Sequence, residues 1–94
     1  MIESFRHKGL KEFYESGKTA KLDTRYLAKL KLILFRLDRA EEIEDMRYPA
    51  SGLHGLKGNL EGFYAVKVMR NWRLIFRFED ANAFDIDLID YHKR

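Results

Sequence analysis

Apolar residues fall three or four positions apart in the first half of the chain and two positions apart in the second. Leu10, Phe13 and Tyr14 follow the i, i+3, i+4 spacing of one helix face, which predicts a helix over residues 9–17 with Gly17 ending it. Leu27, Leu30, Ile33, Leu34 and Leu37 make a longer stripe, broadened by Tyr26 and Phe35. They predict a second helix, capped by Asp23 or Thr24. Met1–Phe5 reads as a short edge strand, residues 40–46 as an acidic turn of helix, and Ala50-Ser51-Gly52 as a loop. Beyond residue 53 the period becomes two. Tyr64, Val66 and Val68, then Trp72, Leu74, Phe76 and Phe78, then Phe84, Ile86 and Leu88 alternate with mainly polar neighbours. Three such strands joined by short turns predict an antiparallel meander. The fold class expected is α+β, with N-terminal helices packed on one face of a mainly antiparallel sheet.

The apolar sets also predict register. Matching them sets Phe78 opposite Phe84, Phe76 opposite Ile86 and Leu74 opposite Leu88. The other face then pairs Arg77 with Asp85, Arg73 with Ile89 and Asn71 with Tyr91. In the preceding hairpin Val68 is set opposite Trp72 across a three-residue turn, Met69-Arg70-Asn71, which places Lys67 opposite Arg73. Two cations facing each other repel unless something anionic lies between them. One sheet surface is therefore expected to gather Lys67, Asn71, Arg73 and Tyr91.

Composition narrows the functional classes. With 94 residues the chain is expected to form a single domain over 1–94. Hydrophobic residues make up 46% and charged residues 35%, a globular balance. No apolar run approaches the roughly 20 residues of a bilayer span, and no secretory leader is visible. The absence of cysteine removes disulfides, thiolate metal sites and a Cys nucleophile. A cytoplasmic protein fits best. The net charge of +3 is modest, but residues 1–40 carry ten of the eighteen Lys and Arg. That distribution suits a polyanionic partner as well as an ordinary solvated surface.

Few residues have the spacing of known catalytic devices. The three histidines, His7, His54 and His92, show no metal-binding spacing, so no metal and no cofactor are expected. Ser4, Ser16 and Ser51 lie in no nucleophile elbow. Gly52, Gly55 and Gly58 match no phosphate-loop pattern and read as turn residues. The informative set is His54, Lys57, Lys67, Asn71, Arg73, Asp90, Tyr91 and His92. Lys57 and Arg73 can neutralise a phosphate, Arg by a two-pronged hydrogen bond. Asn71 can orient an oxygen. His54, Asp90, Tyr91 and His92 can move protons or stack on a base. Such a mixture suits cleavage of RNA by its own 2′-hydroxyl, without metal or covalent intermediate. Each residue also has an ordinary reading: His54 bonded to a loop carbonyl, Asp90 paired with a base, Trp72 in the core.

The stretches Leu53-His54-Gly55-Leu56-Lys57-Gly58, Asn71-Trp72-Arg73-Leu74-Ile75-Phe76 and Asp90-Tyr91-His92 resemble the HigB branch of the RelE toxin superfamily, as does the opening Met1–Leu10. The resemblance covers essentially the whole chain. It implies a RelE-like fold and an endoribonuclease that cleaves mRNA on the ribosome and inhibits translation. It also implies a HigA-type antitoxin partner, with operator DNA reached only through the antitoxin complex. It implies that His54, Asp90, Tyr91 and His92 matter for cleavage and that the basic residues of its motifs, Lys57 and Arg73, contact rRNA or substrate. By its chemistry at the scissile phosphate Arg73 joins the catalytic set, and Asn71 joins the RNA-binding set. Lys67 joins the RNA-binding set on register alone. The alternative reading is a translation inhibitor that binds RNA or the ribosome without cutting.

Overall fold

The computed structural model describes residues 1–91. His7 opens α1 (Lys8–Ser16): its Nδ1 accepts from the Leu10 amide at 3.0 Å. Gly17, at φ 74°, ends it in the left-handed conformation that glycine adopts without penalty. The Asp23 carboxylate accepts from the Arg25 amide at 2.9 Å and opens a 3-10 turn, Thr24–Tyr26, that runs into α2 (Leu27–Arg39). The cap thus belongs to the turn, and α2 itself starts without a side-chain cap. Leu30, Ile33, Leu34 and Leu37 are buried, as the stripe requires. Phe35, expected to broaden that stripe, is instead 53% exposed, because it projects from the opposite side of α2. The acidic segment forms one 3-10 turn, Ile43–Met46.

Four strands follow in spatial order: β1 (His54–Gly55), β2 (Tyr64–Met69), β3 (Trp72–Glu79) and β4 (Asn82–Asp90), all antiparallel. β1 was not expected, since two residues show no alternation. The helices cover one face of the sheet, where Val66, Val68, Leu74, Phe76, Ala83 and Ile86 join the helical stripe in the main core. The other face carries a second, smaller core of Phe63, Ala65 and Ile75, beneath Leu56, Leu60 and Ile89.

Register agrees with the apolar matching in the middle of the sheet and departs from it at two bulges. Lys67 faces Arg73, Arg73 faces Ile89 and Leu74 faces Leu88. The β2–β3 turn holds two residues, Arg70 and Asn71, so Met69 rather than Val68 stands opposite Trp72. In β4 an extra residue slips the ladder between Ile75 and Arg77, so Phe78 faces Ala83, not Phe84, and Arg77 faces Phe84, not Asp85. Asp85 takes φ 53° within this slip, and Ile86 remains in the core. The Arg77–Asp85 ion pair survives diagonally, at 3.6 Å. The bulge also turns backbone groups toward the N-terminal segment. The amides of Arg6 and His7 donate to the Ile86 carbonyl at 2.8 and 3.2 Å. Met1–Phe5 is therefore no regular strand: it touches β4 through two isolated parallel bridges, Ile2 with Ala83 and Phe5 with Ile86.

Candidate active site

The face turned away from the helices brings the sequence-predicted residues together in rows. His54, Ala65, Ile75 and Asp87 align across the four strands, and Lys67, Arg73 and Ile89 align in the next row. The Tyr91 amide donates to the Asn71 carbonyl at 2.9 Å, extending the β3–β4 pairing by one step. A carboxylate, a phenol and an imidazole follow one another at Asp90, Tyr91 and His92. They converge only if pairing stops near Ile89 and the tail beyond it curls over the Arg73 face, which is what the sequence predicts; β4 instead runs to Asp90. Ladder parity alone therefore places Tyr91 on the Arg73 face.

Three side chains meet there. The Arg73 guanidinium lies 5.0 Å from the centre of the Tyr91 ring. The Tyr91 hydroxyl lies 3.0 Å from His54 Nε2, and the two rings meet edge to face. His54 Nδ1 lies 2.8 Å from the Gly52 carbonyl, which can only accept, so Nδ1 carries the hydrogen. In the neutral ring Nε2 is then the acceptor, and the Tyr91 hydroxyl donates to it. All three groups keep contact with solvent.

The loop that aims His54 is anchored by Ser51, which is 1% exposed. Its amide donates to the Tyr48 carbonyl at 3.0 Å and its carbonyl accepts from the Lys67 amide at 2.8 Å. Its hydroxyl accepts from the Leu53 amide at 3.3 Å. Gly52 follows at φ 61°, which turns its carbonyl back onto the imidazole. The sequence pattern marks Ser51 and Gly52 only as loop. A serine before glycine two residues from a histidine was the available signal.

The remaining candidates occupy different places. Lys67 is exposed and directly opposite Arg73, so two cations flank one stretch of surface. Asn71 contributes its carbonyl to Tyr91 from an exposed turn position. Asp90 stands opposite Trp72, one step out of phase with Tyr91. Lys57 is exposed on the turn after β1. His92, the other residue that the curled tail would bring beside Tyr91, lies outside the described residues. His7 serves α1 as its cap. Trp72 is half-buried and tilts against Tyr26 in the main core at 6.2 Å, as its ordinary reading had it. Among the described residues no three His, Asp or Glu side chains are grouped to hold a metal.

The model of the family described as the RelE-like toxin of the type II toxin–antitoxin system HigB matches residues 3–92. The chain belongs to the HigB-like toxins. It is 37% identical over 92 residues to endoribonuclease HigB of Proteus vulgaris, covering 98% of this chain and all of that one. It is 35% identical over 98 residues to toxin HigB-1 of Vibrio cholerae, covering 99% of each. The toxin fold is shared with more distant structures. The YoeB–YefM toxin–antitoxin complex from Staphylococcus aureus matches with TM-score 0.62 and 22% identity over 98% of this chain and 95% of that one. YafQ of Escherichia coli matches with TM-score 0.58 and 15% identity, over 99% and 94%. This HigB-like toxin is accordingly an endoribonuclease of a type II toxin–antitoxin system with a RelE-like α+β fold.

Proposed function

We propose that this toxin cleaves mRNA on the ribosome, by attack of the substrate's 2′-hydroxyl on the adjacent phosphate, without a metal. The carrying observation is the 3.0 Å contact between the Tyr91 hydroxyl and His54 Nε2, with the Arg73 guanidinium against the same ring. The 2′-oxygen forms a bond to phosphorus as its proton passes to the Tyr91–His54 pair. Arg73 and Lys67 neutralise the charge of the pentavalent phosphorane. The 5′-oxygen leaves with a proton supplied from the Asp90–His92 end of the chain. The products are a 2′,3′-cyclic phosphate and a 5′-hydroxyl. Asn71 and Lys57 contact the RNA. The site lies on an open sheet face, which favours a substrate strand oriented by a larger body, the ribosome.

A HigA-type antitoxin is the proposed silencing partner, and operator DNA is reached through that complex. The place of action is the cytoplasm. No helix among the described residues is long and apolar enough to cross a membrane. The decisive experiment is brief expression followed by primer extension of mRNA, with Tyr91→Phe in parallel. Sharp 5′ ends within translated codons, lost with Tyr91→Phe and unchanged by EDTA in a ribosome-containing reaction, are expected. Stalled but intact messages would instead establish a non-cleaving inhibitor.

A further inference from the structure

The sheet face that carries Arg73 has a second cationic feature beyond the residues assigned to cleavage. The Arg6 guanidinium lies 4.8 Å from the centre of the Phe63 ring, and the Arg77 guanidinium lies 5.0 Å from the same centre. Two cations are thus held no further apart than about one Debye length in 0.1 M salt, where their repulsion is felt. Phe63 is only 3% exposed and is fixed by the second core with Ala65 and Ile75, so the ring is a rigid base for both. Gly62 makes room for this arrangement. A Cβ at that position would lie 2.8 Å from Arg77 Nη1. Among the described residues Asp85 is the single acid paired with Arg77. It approaches Nε at 3.6 Å, beyond hydrogen-bond length, and leaves both terminal nitrogens of Arg77 available. Arg6 makes no ion pair among the described residues.

We propose that Arg6 and Arg77, stacked on Phe63, form a second phosphate-binding position for RNA on the face that carries Arg73. This rests on the endoribonuclease reading and extends its substrate contact. Arg77 is four residues from Arg73 on β3, which puts their Cα atoms about 13 Å apart. A strand whose scissile phosphate sits at Arg73 is long enough to present another of its phosphates to Arg77 and Arg6. An anion bound beside two planar guanidinium groups relieves their repulsion and receives forked hydrogen bonds.

The test is equilibrium binding of a labelled single-stranded 2′-O-methyl RNA, which cannot be cleaved, across a salt series. A second arm uses mRNA-free ribosomes. The proteins are the wild type, the double variant Arg6→Gln with Arg77→Gln, the matching double Lys variant, and Arg73→Gln. The Gln double variant is expected to bind about tenfold more weakly near 0.1 M salt, with a shallower salt slope, by about 0.7 for each lost contact. The Lys double variant is expected to keep the slope. A loss confined to the ribosome arm assigns the position to ribosomal RNA, and a loss with the oligonucleotide assigns it to the message. An unchanged slope for the Gln variant in both arms overturns the proposal, as does an equal loss for Gln and Lys, which would reduce the arginines to a cover for Phe63. Arg73→Gln separates the two readings. If it alone lowers the slope, the second position fails and the site stands; if it alone is silent, the reverse holds.

Discussion

Arg73 is held before any substrate arrives. Its Nη1 donates to the carbonyls of Arg70 and Trp72, at 2.8 and 3.1 Å, while its charged plane lies over Tyr91. The Nε and Nη2 hydrogens are left for a phosphate. Lysine has no planar fork to divide in this way. Arg73→Ala should abolish toxicity on induction while its thermal unfolding stays within a few degrees of the wild type, and Arg73→Lys should recover only part of the activity. An Arg73→Ala variant that arrests growth as well as the wild type would remove this residue from the chemistry. The placing of Arg73 and Tyr91 on one face was legible in the sequence, because alternation with Trp72, Leu74 and Leu88 fixes parity. The way His54 is aimed was not. Its geometry comes from the Gly52 carbonyl and from Ser51, backbone-level devices that residue type scarcely announces.

Among the elements, the β3–β4 turn is the most strained. Asp80 and Ala81 both take positive φ, 52° and 65°, and alanine pays for its Cβ there. Ala81→Gly should raise stability by up to about 1 kcal/mol, read as a higher denaturant midpoint at unchanged slope. A lower midpoint would mean that the added freedom of the unfolded chain outweighs the relieved strain. α2 contributes a pH-dependent bond. Asp38 Oδ1 accepts from the Ile2 amide at 3.0 Å, and that bond holds its carboxyl below the usual range, against the smaller opposing effect of burial. The unfolded chain therefore binds the proton more readily, and this stabilisation is complete above about pH 4 and lost as pH falls through the folded-state value. Asp38→Asn, neutral throughout, should be less stable than the wild type at pH 7, with the gap closing under acid. A gap that is constant from pH 7 to pH 2 would contradict this. Helices and strands were readable from periodicity, but β1 is too short to have a period. The bulges beside Val68 and at Asp85 also follow from long-range pairing that no local pattern encodes.

Across the whole molecule, the N-terminal segment covers the open edge of β4. The Met1 amine donates to the Ala81 carbonyl at 2.6 Å, the Glu3 amide to Ala83 at 2.8 Å, and the Ile86 amide to Ser4 at 3.1 Å. An uncovered edge strand invites pairing with another chain. Deleting residues 1–5 should lower the melting temperature and yield concentration-dependent association in sedimentation, whereas a variant that stays monomeric would show that the bulge at Asp85 protects the edge unaided. The same pairing has a bearing on how the toxin is made. Synthesis delivers residues 1–5 first, yet they have nothing to dock on until residues 83–86 have left the exit tunnel. Tyr91 follows later still. A nascent chain that has displayed His54 and Arg73 thus lacks both its edge cover and the hydroxyl its histidine binds. Each new copy is born without its assembled site, on the kind of particle proposed as its target.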